Sequence, residues 1–419
     1  MKQITAILIG AGLRGMDAYA DYALRNESEL RFLAVAEPDP ERRERFRTLH
    51  HIPENLCFES WEQILDRPKF ADAALICTQD RMHFEPAMKA MRLGYDLLLE
   101  KPMAADPHEC VQLGKYAEEN HRILRICYVL RYTPFFTTIK RLLDSGAIGR
   151  LMSIQHNENV GYWHMAHSFV RGNWRNSDES SPMILQKSCH DMDILRWLAG
   201  ADCVNLSSFG ELSWFKKENA PAGAPLRCLD GCPHKDECPF YAPKFYLTEN
   251  TDWPTSAISN DHSYEARVRA LKEGPYGRCV YHCDNNVVDH QVVGMEFANG
   301  VTAVFTMCAF TNEISRTIKL MGTKGEIRGA MEKNEILVKT FGTNTEGLIR
   351  LSESGSGHSG GDDGVMSSFV KLLQPGSAGQ SRSDIADSVH SHLMAFAAER
   401  SRLEKKAVNL SHYESGLFQ

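Results

Sequence analysis

Three sets of residues in this 419-residue chain have types and spacing that could do chemistry. The first is Gly10-Ala11-Gly12-Leu13-Arg14-Gly15, which follows the apolar run Ile4 to Ile9 and opens a helical pattern. Glycines so placed permit a tight turn, close approach of backbone to a pyrophosphate, and close packing of helix on strand. Gly10, Gly12, Leu13, Arg14 and Gly15 are therefore the expected diphosphate contacts. Glu37 stands 22 positions after Gly15, at the end of the second strand. A carboxylate there would accept both hydroxyls of an adenosine ribose and repel a 2′-phosphate, so NAD is expected. Arg14, Arg42 and Arg43 place guanidinium groups nearby that leave room for NADP as well.

The second set is the stretch Tyr162 to Arg175, which concentrates aromatic rings and hydrogen-bond donors. Aromatic faces stack on sugar C–H surfaces while His and Arg offer directional hydrogen bonds, so His164, His167 and Arg171 are the first choices as substrate ligands. A solvent-shielding loop packed by its own rings is the other reading. The third set is Cys228, Cys232 and Cys238, followed downstream by Cys279 and Cys283. Four of these thiolates, Cys228, Cys232, Cys238 and Cys279, could converge on a structural zinc ion, although the spacing is looser than paired Cys-x2-Cys knuckles. Free thiols and redox-dependent disulfides are the alternatives. A segment this poor in apolar periodicity needs some staple, which is the physical case for a metal.

The elements that must position these groups fall into two blocks. From residue 1 to about 128 short apolar strands alternate with amphipathic helices, the pattern of a doubly wound parallel sheet in an α/β domain. Strands are expected at Ile4 to Ile9, Arg31 to Ala36, Ala73 to Cys77, Asp96 to Leu99 and Ile123 to Tyr128. Helices are expected around Met16 to Arg25, Pro40 to Leu49, Trp61 to Asp66, Phe84 to Leu93 and Pro107 to Asn120. Residues 129–419 read as an α+β domain with a mixed, largely antiparallel sheet. Its expected elements are a helix from Pro134 to Ser145, a strand from Leu151 to Asn157 and a helix through His190 to Leu198. Further strands follow at Val287 to Phe297, Val301 to Ala309, Thr317 to Gly322 and Glu335 to Thr340. Between them, Glu211 to Asn286 reads as a Cys-rich insertion, and Ser352 to Gly364 as a Gly/Ser loop. A last helix, Asp384 to Lys405, carries Ile385, Val389, Leu393, Phe396 and Ala397 at helical spacing and should pack back on the body.

Composition narrows the function classes. Asp and Glu outnumber Lys and Arg, giving a formal charge of -7, which provides no electrostatic footprint for nucleic acid. No apolar run is long enough to span a bilayer. The chain enters a strand at Ile4, with no room for a secretory signal, and Cys77, Cys127, Cys203 and Cys308 are scattered singly in apolar stretches, as reduced thiols are. A cytoplasmic protein with a small-molecule partner is expected.

The segment Leu97-Leu98-Leu99-Glu100-Lys101-Pro102, together with Thr78-Gln79-Asp80-Arg81-Met82-His83 before it, resembles the glucose-fructose oxidoreductase, inositol dehydrogenase and MocA family. The resemblance continues through Arg131-Tyr132, Ser145 to Gly149, Met295 to Gly300 and Gly322 to Glu326, and so covers nearly the whole chain. It implies a Rossmann domain followed by a domain that binds substrate and mediates assembly into a dimer or tetramer. It also implies cofactor contacts from Thr78, His83, Glu100 and Lys101, and substrate contacts from Lys101, Arg131, Gln186, Lys187 and His190. By resemblance Lys101 lies beside the nicotinamide and transfers the proton of the hydroxyl being oxidised. A lysine at a strand's carboxyl end, where ligands bind in such sheets, suits that role chemically.

Family members commonly place an aspartate four residues before a histidine. Here His190 matches the histidine, but Gln186 occupies the aspartate position and cannot act as a base. Lys101 and His190 then share the proton work, or Lys187 brings a second positive charge that binds an anionic group. The expected reaction is hydride transfer between NAD and a ring carbinol of a sugar, polyol or glycoside. The alternatives are an NAD-dependent glycosidase working by transient oxidation, elimination and re-reduction, and a binding protein that senses NAD and does not need Lys101.

Overall fold

The computed structural model describes residues 2–343, 346–352, 357–376 and 382–418. Its first sheet has six parallel strands: β1 (Ile4–Ile9), β2 (Leu30–Ala36), β3 (Cys57–Phe58), β4 (Ala73–Ile76), β5 (Asp96–Leu99) and β6 (Leu124–Ile126). Their order is β3-β2-β1-β4-β5-β6. The central strands are buried on both faces, which is why they read as continuous apolar runs rather than alternating ones. The order reverses between β1 and β4, and a crevice opens beyond the carboxyl ends of strands at such a point. The glycine turn, Thr78 and Glu100-Lys101 all follow strands directly and so meet at that edge.

Helices Pro40–Leu49 and Pro107–Glu119 start where side chains cap them: Asp39 accepts from the Arg42 amide, and Asp106 from those of His108 and Glu109. The helix expected from Met16 instead begins at Leu13. It runs with wide π-type turns to Ala20 before continuing as α-helix over Asp21–Arg25.

The second sheet has nine strands: β7 (Leu151–Asn159), β8 (Cys203–Glu211), β9 (His290–Phe297), β10 (Thr302–Cys308), β11 (Ser315–Gly322), β12 (Gly325–Ala330), β13 (Glu335–Thr340), β14 (Glu346–Arg350) and β15 (Val408–Asn409). Their order is β14-β13-β12-β11-β7-β10-β9-β8-β15. Strands β7 and β10 pair in parallel, and the other pairs recorded are antiparallel. Helix Cys189–Ala199 packs on β7, at the centre of this sheet. Of these strands, β8, β12, β14 and β15 were not expected, and β9 starts three residues later than Val287. Asp289, just before it, is fully buried because its carboxylate accepts the backbone amides of Ser213 and Trp214.

The insertion runs between β8 and β9 and has a small core of its own, Cys228, Ala242, Tyr246 and Leu271. The loop expected at Ser352 to Gly364 extends only part-way. Residues 353–356 lie outside the described residues, and a helix, Gly361–Leu372, already begins at Gly361. Its Val365, Met366, Phe369 and Val370 join the cluster of Ile4, Leu8, Met16 and Tyr19, so a C-terminal segment completes the core of the first sheet. The final helix, Arg382–Glu404, packs as expected. It lies so close to helix Pro107–Glu119 that a Cβ on Gly114 would come within 2.6 Å of Val389. Among the described residues no helix is long and apolar enough to cross a membrane.

Candidate active site

The glycine turn is shaped by sterics. Gly10 has φ +91°, and a Cβ there would sit 2.6 Å from the Cys77 carbonyl oxygen; one on Gly15 would sit 2.1 Å from that of Gly10. Gly12 differs, because the nearest atom to its would-be Cβ is Nη1 of Arg42, at 3.9 Å. The backbone over Gly12 is thus left bare, a cradle of the kind a diphosphate fills. Glu37, buried just after β2, accepts the Ala11 amide at 2.7 Å and that of Asp39 at 3.1 Å, so its carboxylate is fixed beside the glycine turn. Of the three arginines nearby, Arg14 and Arg43 are engaged elsewhere. Arg43 donates to the carbonyls of Glu37 and Pro38.

Arg14 points inward to Glu100, at 2.9 Å, and to both oxygens of Asp362, at 2.7 and 3.1 Å. Tyr19 also donates to Glu100, at 2.6 Å. Burial opposes ionisation of Glu100, but the charges of Arg14 and Lys101 outweigh it and hold the carboxyl below its ordinary range. Its other oxygen accepts the Lys101 amide, so Glu100 fixes the backbone from which Lys101 projects. His83 does similar work: Nδ1 lies 2.6 Å from the Pro102 carbonyl and Nε2 3.0 Å from that of Thr78, clamping the ends of β4 and β5 together. The Thr78 hydroxyl donates to Met82, closing its own turn.

The Lys101 ammonium reaches across to the second domain and donates to the Gln186 carbonyl at 2.9 Å. The Gln186 side chain is occupied elsewhere, donating to Trp174 O and accepting from Ser180, so its contribution at Lys101 comes from its backbone. His190, four residues on, is buried against Tyr128 and has no partner for Nδ1 among the described residues. Burial first, and then the charge of Lys101, push its pKa well below that of a free histidine, so the ring is neutral. Lys187 turns away to an ion pair with Glu158 at 3.1 Å. Glu158 also pairs with Arg316 at 2.6 Å, Arg316 with Asp191 at 2.9 Å, and Asp191 with His156 at 2.7 Å. This buried network joins β7, β11 and the helix carrying His190. The sequence signal for it was period two, which puts His156 and Glu158 on the same inward face as Ile154. Arg131 is held by both oxygens of Asp193 at 2.6 Å, an ion pair that locks helix Cys189–Ala199 in place.

In the aromatic stretch, His167 is buried with Nδ1 2.8 Å from the Tyr246 hydroxyl and its ring stacked on Tyr276, and burial pushes its pKa down to about 3. Arg171, also buried, donates to the carbonyls of Arg278 and Phe240 at 2.7 Å each. Both therefore hold the insertion onto the loop. His164 stays close to the site: burial and then the charge of Lys187 lower its pKa, and Nδ1 has no partner among the described residues.

Comparison with known proteins fits this geometry. Residues 4–128 match the oxidoreductase family's NAD-binding Rossmann fold, and residues 140–416 match its C-terminal alpha/beta domain. The chain belongs to the Gfo/Idh/MocA oxidoreductase family. Among its relatives, the YteT protein of Bacillus subtilis is 23% identical over 72% of this chain and 69% of its own length. Inositol 2-dehydrogenase 4 of Saccharopolyspora erythraea is 27% identical over 53% of this chain, and the match spans 61% of that enzyme. In fold, levoglucosan dehydrogenase in complex with NADH superposes with a TM-score of 0.70 at 18% identity, covering 97% of this chain and 99% of that one. An oxidoreductase from Agrobacterium radiobacter in complex with NAD+, L-tartaric acid and magnesium gives 0.70 at 15% identity, covering 98% and 99%.

This Gfo/Idh/MocA member does not support the zinc ion expected in its insertion. Among the described residues no group of three or more His, Cys, Asp or Glu is arranged to hold a metal ion. Cys228, Cys232, Cys238 and Cys279 do line one cavity, of about 20 Å³, as free thiols. Burial raises the thiol pKa of Cys238, and that of Cys279 to about 11, which favours the protonated form. The staple that the insertion needs is supplied instead by Arg171 and by the core around Tyr246 and Leu271.

Proposed function

We propose that this chain catalyses NAD-dependent oxidation or reduction of a carbinol on a sugar, polyol or glycoside, with Lys101 as the proton-transfer group. The observation that carries this reading is the Lys101 ammonium, delivered by β5 to the crevice beside the glycine turn and aimed by the Gln186 carbonyl at 2.9 Å. The inositol and levoglucosan dehydrogenases among its relatives and structural neighbours support a polyhydroxylated substrate.

Gly10, Gly12, Leu13, Arg14 and Gly15 would hold the diphosphate and Glu37 the adenosine ribose, and the bare backbone at Gly12 fits that group. NAD, when bound, supplies the hydride acceptor. As the neutral amine Lys101 takes the hydroxyl proton in the oxidative direction, becoming the ammonium, and as the ammonium it returns that proton in the reductive one. His190, neutral with Nδ1 unengaged among the described residues, hydrogen-bonds a neighbouring hydroxyl and positions the carbinol. Thr78, His83 and Glu100 act through the backbone they fix. Arg131, His167 and Arg171 brace the pocket, and Lys187, paired with Glu158, sets the field beneath His190.

The test is a panel of inositols, anhydrosugars, aldoses and sugar acids with NAD and with NADP, followed by nicotinamide absorbance. NADH formation with at least one member is expected. Aglycone release from nitrophenyl glycosides without net NADH would replace this reading with the glycosidase one.

A further inference from the structure

The insertion between β8 and β9 closes on the aromatic loop beside the site and presents one ring whose role packing does not exhaust. Trp253 meets the rings of His164 and His167 edge-on, at 5.1 and 5.5 Å, and lies 5.4 Å from Trp163. With these three rings around it, Trp253 remains 41% exposed. Its loop is anchored on both sides. Arg267 donates to the carbonyls of Tyr246 and Thr248 at 2.8 Å each, and Asn260 donates to Glu41 on helix Pro40–Leu49 at 2.8 Å. The indole is therefore held before any ligand arrives, which reduces the ordering cost of binding.

Against this ring lies His164, half-buried, with its Nδ1 atom out of contact with solvent and lacking a hydrogen-bond partner among the described residues. A buried polar atom without a partner is costly unless a ligand supplies one. We propose that Trp253, Trp163 and His164 form a second sugar subsite, next to the Lys101–His190 centre, that takes the neighbouring ring of a disaccharide or glycoside. Indole faces suit the C–H surface of a pyranose, and an unengaged imidazole nitrogen suits one of its hydroxyls.

The subsite is coupled to the reacting centre: the charge of Lys187 acts on both His164 and His190, and a chain of packed groups runs between them. Gln186, whose carbonyl aims Lys101, donates its amide to Trp174 O at 2.8 Å. Trp174 packs on Phe169, Phe169 on His164, and His164 on Trp253. A ring reacting at Lys101 leaves Trp253 to that ring's substituent. This inference rests on the sugar-oxidoreductase reading above and adds that the preferred substrate has two rings.

The test is calorimetric titration of the protein loaded with NADH, a dead-end state from which no hydride leaves the sugar. The probes are glucose, cellobiose and maltose, and galactose, lactose and melibiose. In at least one series a disaccharide is expected to bind about tenfold tighter than its monosaccharide. Trp253→Ala is expected to abolish that gain while leaving the monosaccharide affinity within about twofold. Trp253→Phe, which keeps a packed ring, should lose only part of it. Equal affinity for monosaccharide and disaccharide in the unsubstituted protein overturns the subsite. So does a Trp253→Ala variant that weakens both alike, or a Trp253→Phe variant that keeps the whole gain. If no sugar binds, it is the sugar reading itself that fails.

Discussion

Arg14 ties the nucleotide turn to a helix more than three hundred residues away, and that tie can be measured. Its guanidinium meets Asp362 at 2.7 and 3.1 Å and Glu100 at 2.9 Å. Asp362 is 2% exposed and Glu100 5%. Arg14→Ala strands both carboxylates in the interior, and breaking a buried ion pair from one side costs about 3–5 kcal/mol. Asp362→Ala leaves Arg14 with Glu100 and Tyr19, so its cost is that of charge-assisted hydrogen bonds, about 1.5–3 kcal/mol. In the double variant Asp362 is no longer stranded, so the combined loss should fall short of the sum by roughly 1–3 kcal/mol. Urea denaturation of the four proteins without nucleotide reads this cycle. Because Arg14 belongs to the turn, Asp362→Ala should also weaken NAD binding several-fold although Asp362 is not in the turn. Additive losses, with NAD affinity unchanged in Asp362→Ala, would refute the coupling.

Other predictions follow from the same geometry. Gly10→Ala forces a side chain to φ +91° and into the Cys77 carbonyl, costing about 1–3 kcal/mol in backbone conformation alone. Gly12→Ala should leave stability within about 0.5 kcal/mol and instead lower NAD affinity, and thermal melts with and without NAD separate the two. Glu37→Ala, which also strips an acceptor from the Ala11 amide, should weaken NAD at least tenfold, by about 1.4 kcal/mol, and NADP less; equal loss of both would contradict the role given to this carboxylate. His392, held neutral by burial at a pKa of about 4, takes up a proton on unfolding below pH 6.5. Its contribution is therefore complete above pH 6.5 and lost as pH falls toward 4, by about 3 kcal/mol, and a stability profile flat across that window would show the ring to be solvated.

Much of the first sheet was legible because each buried parallel strand is a short apolar run between punctuated helices. β3 was not, since two residues, Cys57–Phe58, carry no period. β8 hides its alternation because its inward Ser208 is polar, its hydroxyl accepting from Gln291 while its backbone amide donates to Ser401. In β12 the glycine at position 329 breaks the pattern because the Phe135 ring occupies the space where a Cβ would stand. The site was legible in part for a related reason. Sequence singled out Glu37 by its place after a strand, and Lys101 and His190 through the family resemblance. It could not show that Arg131, Lys187 and Arg14 find carboxylates distant in the chain, because Asp193, Glu158 and Asp362 approach them only in the fold. Gln186 looked like a lost base, whereas its backbone carbonyl aims the lysine and its side chain fastens Trp174.

The central claim, that Lys101 transfers the proton, is tested most directly by Lys101→Met on a substrate found in the sugar panel. NADH formation should fall by about 10²–10⁴ in kcat while the affinity for NAD stays within about threefold, since the turn and Glu37 are untouched. A variant that retains kcat within tenfold of the unsubstituted enzyme would contradict the account and return the proton transfer to His190.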